Sequence, residues 1–295
     1  MRLHLVDGTF ELFRAHFSKR PGHRAPDGAE VKATLGLAAS LLALLHDPVE
    51  APTHLAVAFD NPIRSFRNDL FAGYKTEEGV PPELLAQLDL AEDAARAVGA
   101  VVWSMDRYEA DDALATAAAR LRGEVEQVRI LSPDKDLGQC LEGDRVVLVD
   151  RVRGKVIDEA ALLARRGIRP ESVPDFLALV GDDADGIPGL PGFGEKTAGA
   201  LLGRHLHLEA VPLDPAAWPP GVRGAPALAA TLAARLDEAL LYRRLATLAT
   251  DVPLAASLED LRFRGVPREA FAAFCARIGA ARLAESATTR TVRWA

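Results

Sequence analysis

At 295 residues, 49% hydrophobic and 26% charged, the chain has the composition of a globular protein with room for a catalytic core and a smaller subdomain. Its longest apolar stretch, Leu35 to Leu45, falls short of the roughly 18 residues a membrane helix needs, so no membrane partner is expected. The opening Leu3-His4-Leu5-Val6 has no charged leader, so no signal peptide is expected, and Cys140 and Cys275 stand in no metal-type spacing, as in a chain of the reducing cytoplasm. The net charge of −7 at first argues against a phosphate-bearing partner. Nine of the acids, however, fall into the constellation described below, and removing nine negative charges from −7 leaves +2. Divalent cations reverse the local sign of such a site, so bulk charge does not decide the partner.

Short β-like runs occur at Leu3–Val6, Leu55–Phe59, Val101–Trp103 and Val128–Leu131. A fifth, Val146–Val149, continues through Arg153-Gly154 into Val156-Ile157 as a hairpin. Helical patterns at Lys32–Leu45, Pro82–Val98 and Glu109–Leu121 alternate with them, which predicts an α/β fold with a mostly parallel sheet. From about Pro170 the β signal disappears and Ala- and Leu-rich helices take over. The boundary is therefore set at 168/169, with a catalytic domain over 1–168 and an α-helical C-terminal subdomain over 169–295.

The acids follow this pattern. Asp7, Asp60, and Asp134 with Asp136 each follow a β-like run, and in open α/β sheets the site lies beyond the carboxyl ends of the strands. A single acid there is commonly a helix cap, but three such positions together argue for more. Glu109, Asp111 and Asp112 open a helix, where the macrodipole favours acids, yet two adjacent aspartates repel each other and need a counter-ion. Asp182 and Asp185 follow an apolar helix, at the end where acids are disfavoured, so something positive must compensate them. Oxygen-only donors favour Mg²⁺ or Mn²⁺ over zinc, and so many carboxylates suit two or more ions acting on a phosphodiester.

Two further segments bear on nucleic acid. Arg64–Gly79 carries Arg64, Arg67 and Lys75 with Phe66, Phe71 and Tyr74, and reads either as an amphipathic surface helix or as a basic, aromatic-bearing element that grips phosphates. Gly189-Leu190-Pro191-Gly192-Phe193-Gly194-Glu195-Lys196-Thr197 separates two helical stretches. Its glycines let backbone N–H groups approach a phosphate ahead of a helix N-terminus, although a tight inter-helix turn would look the same. A nucleotide-binding P-loop is excluded, because Glu195 intervenes between Gly194 and Lys196 and no strand precedes the loop.

Val6-Asp7-Gly8, Ala58-Phe59-Asp60, Phe66-Arg67 with Tyr74-Lys75, Tyr108 to Asp112, Asp134 to Leu137 and Gly181 to Ala198 together resemble the 5′-nuclease (flap endonuclease) family. The match is strongest to the N-terminal 5′→3′ exonuclease domain of bacterial DNA polymerase I; Thr250–Leu254 and Leu258–Gly265 resemble that domain's ending. The resemblance implies a PIN-like catalytic core with a helical arch over about 67–99, and a C-terminal subdomain with a helix-hairpin-helix (H3TH) motif. It implies one metal group of Asp7, Asp60, Glu109, Asp111 and Asp112, and another of Asp134, Asp136, Asp182 and Asp185. Arg67, Lys75 and Tyr74 would serve catalysis, the first two at the scissile phosphate. Gly189, Gly192, Gly194, Lys196 and Thr197 would bind the duplex backbone, with K⁺ at that motif.

The expected activity is a structure-specific 5′→3′ exonuclease and flap endonuclease acting on DNA with a 5′ flap, nick or single-stranded 5′ end, or on an RNA primer–DNA hybrid. The expected setting is replication and repair by a monomer in the bacterial cytoplasm, at the nucleoid, in cooperation with a DNA polymerase. A non-catalytic DNA-structure-binding paralogue and an RNase acting on RNA–DNA hybrids are the alternatives. Three departures from the family pattern stand out: Thr76-Glu77-Glu78 where a basic residue is usual, Pro133 where glycine is usual, and an additional acid at Asp183. The chain ends at Ala295 without a polymerase, which reads as a free-standing member.

Overall fold

Each β-like run of the sequence is a strand, extended by a residue or two at its ends. The structure is a computed structural model that describes residues 1–289 and 294. In chain order the elements begin with β1 (Arg2–Asp7), α1 (Gly8–His16), α2 (Lys32–His46), β2 (His54–Asp60) and α3 (Arg67–Leu70). Next come α4 (Pro82–Leu85), α5 (Leu88–Ala97), β3 (Val101–Met105), α6 (Ala110–Leu121), β4 (Gln127–Leu131), β5 (Val146–Asp150), β6 (Lys155–Ile157) and α7 (Glu159–Arg166). The rest is helical: α8 (Val173–Val180), α9 (Glu195–His205), α10 (Ala225–Ala234), α11 (Leu236–Ala246), α12 (Arg268–Arg277) and α13 (Ala281–Thr289). No helix among the described residues is long and apolar enough to cross a membrane.

The chain forms two compact units drawn from interleaved segments. The first comprises 1–63, 77–132 and 250–295; the second comprises 64–76 and 133–249. The sequence boundary at 168/169 follows the end of the β signal, whereas the units follow contacts that periodicity does not carry.

In the first unit, β3-β2-β1-β4 run parallel, with Leu3 opposite His54 and Val128, and Ala56 opposite Val101. β1 and β2 are buried along nearly their whole length, as expected where helices cover both faces of a parallel sheet. α2 is apolar almost all round, and it packs against both α1 and α5. The chain returns to the sheet region at Leu261 and Phe263: the Leu55 N–H donates to Leu261 O (2.8 Å) and the Phe263 N–H to Thr53 O (2.9 Å).

The expected arch over 67–99 is not one element. Residues 67–76 belong to the second unit, and the helix expected over 82–98 is two helices broken at Ala86-Gln87. α5 lies against α2 with Leu88, Ala91, Ala94 and Ala95 buried, because its small apolar residues repeat at helical spacing and form a core face.

In the second unit, β5 and β6 form the expected antiparallel hairpin, with Leu148 opposite Ile157 and Asp150 opposite Lys155. The helices that follow include α8, which packs against α9 and α11. α8 and α9 flank the glycine-rich segment 181–194.

Candidate active site

In the first unit, the parallel strands carry their acids to one edge. Asp7 ends β1 and caps α1: its Oδ1 accepts the Phe10 N–H at 2.8 Å, and its Oδ2 accepts the Ser132 hydroxyl at 2.9 Å. Ser132 follows the last residue of β4, so β1 and β4 meet at their carboxyl ends. Asp60 ends β2, and its Oδ1 accepts the Ala110 N–H at 2.7 Å, which fixes it to the first turn of α6. Glu109 and Asp112 form a capping box at that helix start, the Glu109 N–H donating to Asp112 Oδ2 at 3.0 Å. Asp7, Glu109 and Asp112 are buried; Asp60 and Asp111 are partly open. Capping therefore accounts for part of what Asp7 and Asp112 do, as their positions suggested.

The second unit assembles a tighter group. Asp182 and Asp185 sit in a loop closed by paired backbone bonds, Asp182 N–H to Ile187 O (2.7 Å) and Ile187 N–H to Asp182 O (2.8 Å). Gly186 and Gly189 make this loop possible. Both have positive φ, and a Cβ would lie 2.2 Å from Gly73 O at the first and 2.5 Å from Gly181 N at the second. Oxygens of Asp136, Asp182 and Asp185 lie within 4.8 Å of one another. Asp134 stands beside them and accepts the Asp136 N–H at 2.9 Å, whereas Asp183 points to solvent outside the group.

Two lysines offset this charge. Lys75 Nζ lies 2.9 Å from Asp185 Oδ1, and Lys135 Nζ lies 2.8 Å from Asp182 Oδ2. They do not neutralise the group. Burial, followed by the charges of Asp134, Asp185 and Asp182, pushes the Asp136 carboxyl well above the usual carboxylate range. Asp134 is exposed, yet the protein packed around its carboxyl and the charges of Asp185 and Asp182 raise it too, against the Asp136 N–H and Lys75. Asp136 Oδ1 is buried and accepts no hydrogen bond. A buried carboxylate oxygen with no donor, among three further aspartates, is a donor set that fits a hard divalent cation.

Two expected catalytic residues are placed differently. Arg67 is only 1% exposed; its Nε donates to Leu245 O (2.7 Å) and its Nη2 to Thr247 O (2.9 Å). Its guanidinium also covers the Phe66 ring at 4.7 Å. This corrects the expectation of a phosphate contact: two carbonyl acceptors far along the chain hold the guanidinium inside the second unit. Tyr74 is 3% exposed and is likewise a packing residue here, with the Lys75 ammonium 5.6 Å from its ring centre. The surface-helix reading of 64–79 fails as well, since α3 is a single turn. Lys135, which pairs with Asp182, is not among the residues the sequence pattern singles out, although a lysine between Asp134 and Asp136 is itself a signal.

In the glycine-rich segment, Gly194 caps α9 without a side chain, at an ordinary φ of −112° and with open space where a Cβ would stand. Gly192, Gly194 and Lys196 are exposed, Thr197 is half-buried and Gly189 is buried. The exposed start of α9 thus presents backbone N–H groups beside Lys196.

Profiles of known families account for most of the chain. The 5′–3′ exonuclease N-terminal resolvase-like domain matches residues 2–167, and the 5′–3′ exonuclease C-terminal SAM fold matches 168–269. The chain belongs to the 5′–3′ exonuclease family. DNA polymerase I of Rhizobium leguminosarum is 37% identical to this family member over 265 residues, which are 88% of this chain and 26% of the relative. The chain thus spans about a quarter of that relative's length. In fold, this 5′–3′ exonuclease family member is similar to T5 5′-exonuclease with bound zinc, with a TM-score of 0.64 at 17% identity, covering 98% of this chain and 99% of that one. It is also similar to the catalytic core of Rad2 in complex with DNA, with a TM-score of 0.59 at 13% identity, covering 98% and 91%.

Proposed function

We propose that the chain hydrolyses phosphodiester bonds of DNA near 5′ ends, as a structure-specific 5′→3′ exonuclease and flap endonuclease that depends on divalent metal. The observation that carries this reading is the approach of Asp136, Asp182 and Asp185 within 4.8 Å, with Asp136 Oδ1 buried and unbonded. Family membership, the divalent ions of T5 5′-exonuclease and the DNA held by Rad2 support it. Mg²⁺ or Mn²⁺ is the ion these oxygen donors suit. Asp134, Asp136, Asp182 and Asp185 would hold one ion, and Asp7, Asp60, Glu109, Asp111 and Asp112 another. When bound, such ions lower the pKa of a coordinated water and stabilise the charge that develops on the phosphate.

The chain's own residues do the rest. Lys75 holds Asp185 in place and presents positive charge beside the group, where it favours an incoming phosphate. Asp182 and Asp185 are kept in register by their closed loop. Gly192, Gly194, Lys196 and Thr197 at the start of α9 hold the duplex backbone without reading sequence, with K⁺ as the ion of that loop. Substrates are a 5′ flap, a nick or a single-stranded 5′ end, including an RNA primer on DNA. The protein acts as a monomer alongside a DNA polymerase in replication and repair.

Cleavage of a 5′-labelled flap duplex in Mg²⁺, in Mn²⁺ and in EDTA tests the reading. Short 5′ products that require metal, and that D111N and D134N lose while retaining flap binding, are expected. Flap binding without cleavage in any metal would instead identify a DNA-structure binder, and faster cutting of RNA–DNA hybrids than of DNA flaps would identify a ribonuclease.

A further inference from the structure

The second unit carries a recess apart from the glycine-rich loop, between the β5–β6 hairpin and α7, with a volume of about 320 Å³. That volume lies within the range of small-molecule sites. Leu148 and Leu162 form an aliphatic floor, exposed Val156 forms a wall, and Lys155, Arg165 and Arg166 stand around it. Asp134, which stands beside the acidic group, is among the lining residues, so the recess borders that group.

The three cations have no carboxylate partner among the described residues; Lys135, on the same lining, is paired with Asp182. Arg166 is the most demanding of the three. Its guanidinium lies 5.1 Å from the centre of the Phe176 ring, and burial, then the charge of Arg165, lowers its pKa, against the opposing charges of Glu195, Asp136 and Asp182. A partly buried guanidinium with no anion in direct contact is costly, and a phosphate would relieve it.

An aliphatic floor under a cationic rim matches a nucleoside joined to phosphate. Three cations set around the recess can meet a phosphate on each side of one nucleotide, which a strand supplies and a free mononucleotide, with its single phosphate, does not. We propose that this recess holds an unpaired nucleotide of a nucleic-acid strand, with its base on Leu148, Val156 and Leu162 and its flanking phosphates on Lys155, Arg165 and Arg166. The proposal rests on the DNA-cutting reading and adds to it a place where the strand is gripped next to Asp134. It deepens specificity for frayed or gapped structures, because only an unpaired base can enter.

The test is fluorescence anisotropy in EDTA, with a blunt duplex and with the same duplex carrying a short unpaired extension, for wild type, K155A/R165A and V156Q. All three positions are exposed, so unfolding temperatures should match wild type. The double variant is expected to bind the extended duplex about tenfold more weakly, with its salt slope reduced by about 1.4, and to bind the blunt duplex as before. V156Q is expected to weaken binding to the extension without changing the salt slope. Equal losses on both duplexes, or no loss on the extended one, would overturn the proposal. Failure of the wild type to bind either duplex would overturn the DNA reading itself, a result distinct from all of these.

Discussion

Lys75 and Asp185 are joined twice: the lysine ammonium lies 2.9 Å from the aspartate side chain, and the lysine N–H donates to the aspartate carbonyl at 3.0 Å. The backbone bond is open to any residue at 75 except proline, so an alanine there tests the side chain alone. K75A is expected to slow flap cleavage by about a hundredfold, the scale of losing one preorganised positive group. It should also lower the metal concentration needed for half-maximal rate, because a competing cation has gone. Single-turnover rates across a Mg²⁺ series check both effects, and an unchanged rate would remove Lys75 from the reaction.

Asp136 stands for the cost of the site. Its carboxyl is buried among three other aspartates, and a neutral amide of the same shape removes that repulsion. D136N is expected to raise the unfolding temperature in EDTA by a few degrees, corresponding to about 1 kcal/mol, while cleavage falls by about a thousandfold or more. Thermal melts with and without Mg²⁺ check this: metal should stabilise the wild type much more than the variant. A D136N protein less stable than wild type in EDTA would mean that Asp136 makes a contact the fold needs.

Acid stability should depend on a cluster that contains none of the reactive acids. The Arg129 guanidinium donates to both oxygens of Glu50, at 2.6 and 2.8 Å, and His4 Nε2 donates to Glu50 Oε2 at 2.9 Å. Burial raises the Glu50 pKa, but the hydrogen bonds from His4 and Arg129 outweigh it and hold the carboxyl at about 2 instead of 4.5. A depressed carboxylate pKa stabilises the fold above the unfolded value, and that stability drains away as pH falls from about 4.5 toward 2. The span is worth on the order of 3 kcal/mol. Buried His4 has a lowered pKa, so it too favours the fold at higher pH and loses that contribution as acid charges it. Urea midpoints from pH 7 to 3 should fall more steeply for wild type than for E50Q, which should already be weaker at pH 7. Parallel curves would rule the cluster out.

Gly186 and Gly194 should respond in opposite ways to alanine. At 186, φ is +71° and a Cβ would meet Gly73 O at 2.2 Å, so G186A is expected to cost about 2 kcal/mol or more and to displace Asp182 and Asp185. At 194 the space is open and φ is ordinary, so G194A should leave the unfolding temperature alone and weaken duplex binding severalfold. Melting curves and duplex anisotropy on the two variants check the contrast.

The sequence is most legible where structure is local. The four parallel strands and the acids at the ends of β1 and β2 follow from short apolar runs ending in aspartate, and the hairpin follows from Arg153-Gly154. Asp182 and Asp185 are readable because acids at the end of an apolar helix conflict with its dipole. What escapes is set by distant partners. Nothing near Arg67 indicates that its acceptors are the carbonyls of Leu245 and Thr247, so a buried staple reads as a surface cation. The face of α5 reads as a free arch because its partner, α2, is separated from it by a strand and two short helices. Arg129, Glu50 and His4 meet only because β1 and β4 are neighbours in the sheet.

The interleaving of segments has a consequence for the protein while it is being made. Residues 64–76 leave the ribosome well before their partners: the carbonyls that receive the Arg67 guanidinium belong to residues 245 and 247, synthesised 178 and 180 residues later. Until then Arg67 and its aromatic neighbours stay exposed, and the second unit cannot close. Likewise, Leu55 waits for Leu261 before its N–H is paired. Folding in the order of synthesis is therefore blocked for both units, and a nascent chain released or cleaved before about residue 250 carries uncovered apolar and hydrogen-bonding surface that a chaperone or a protease can take.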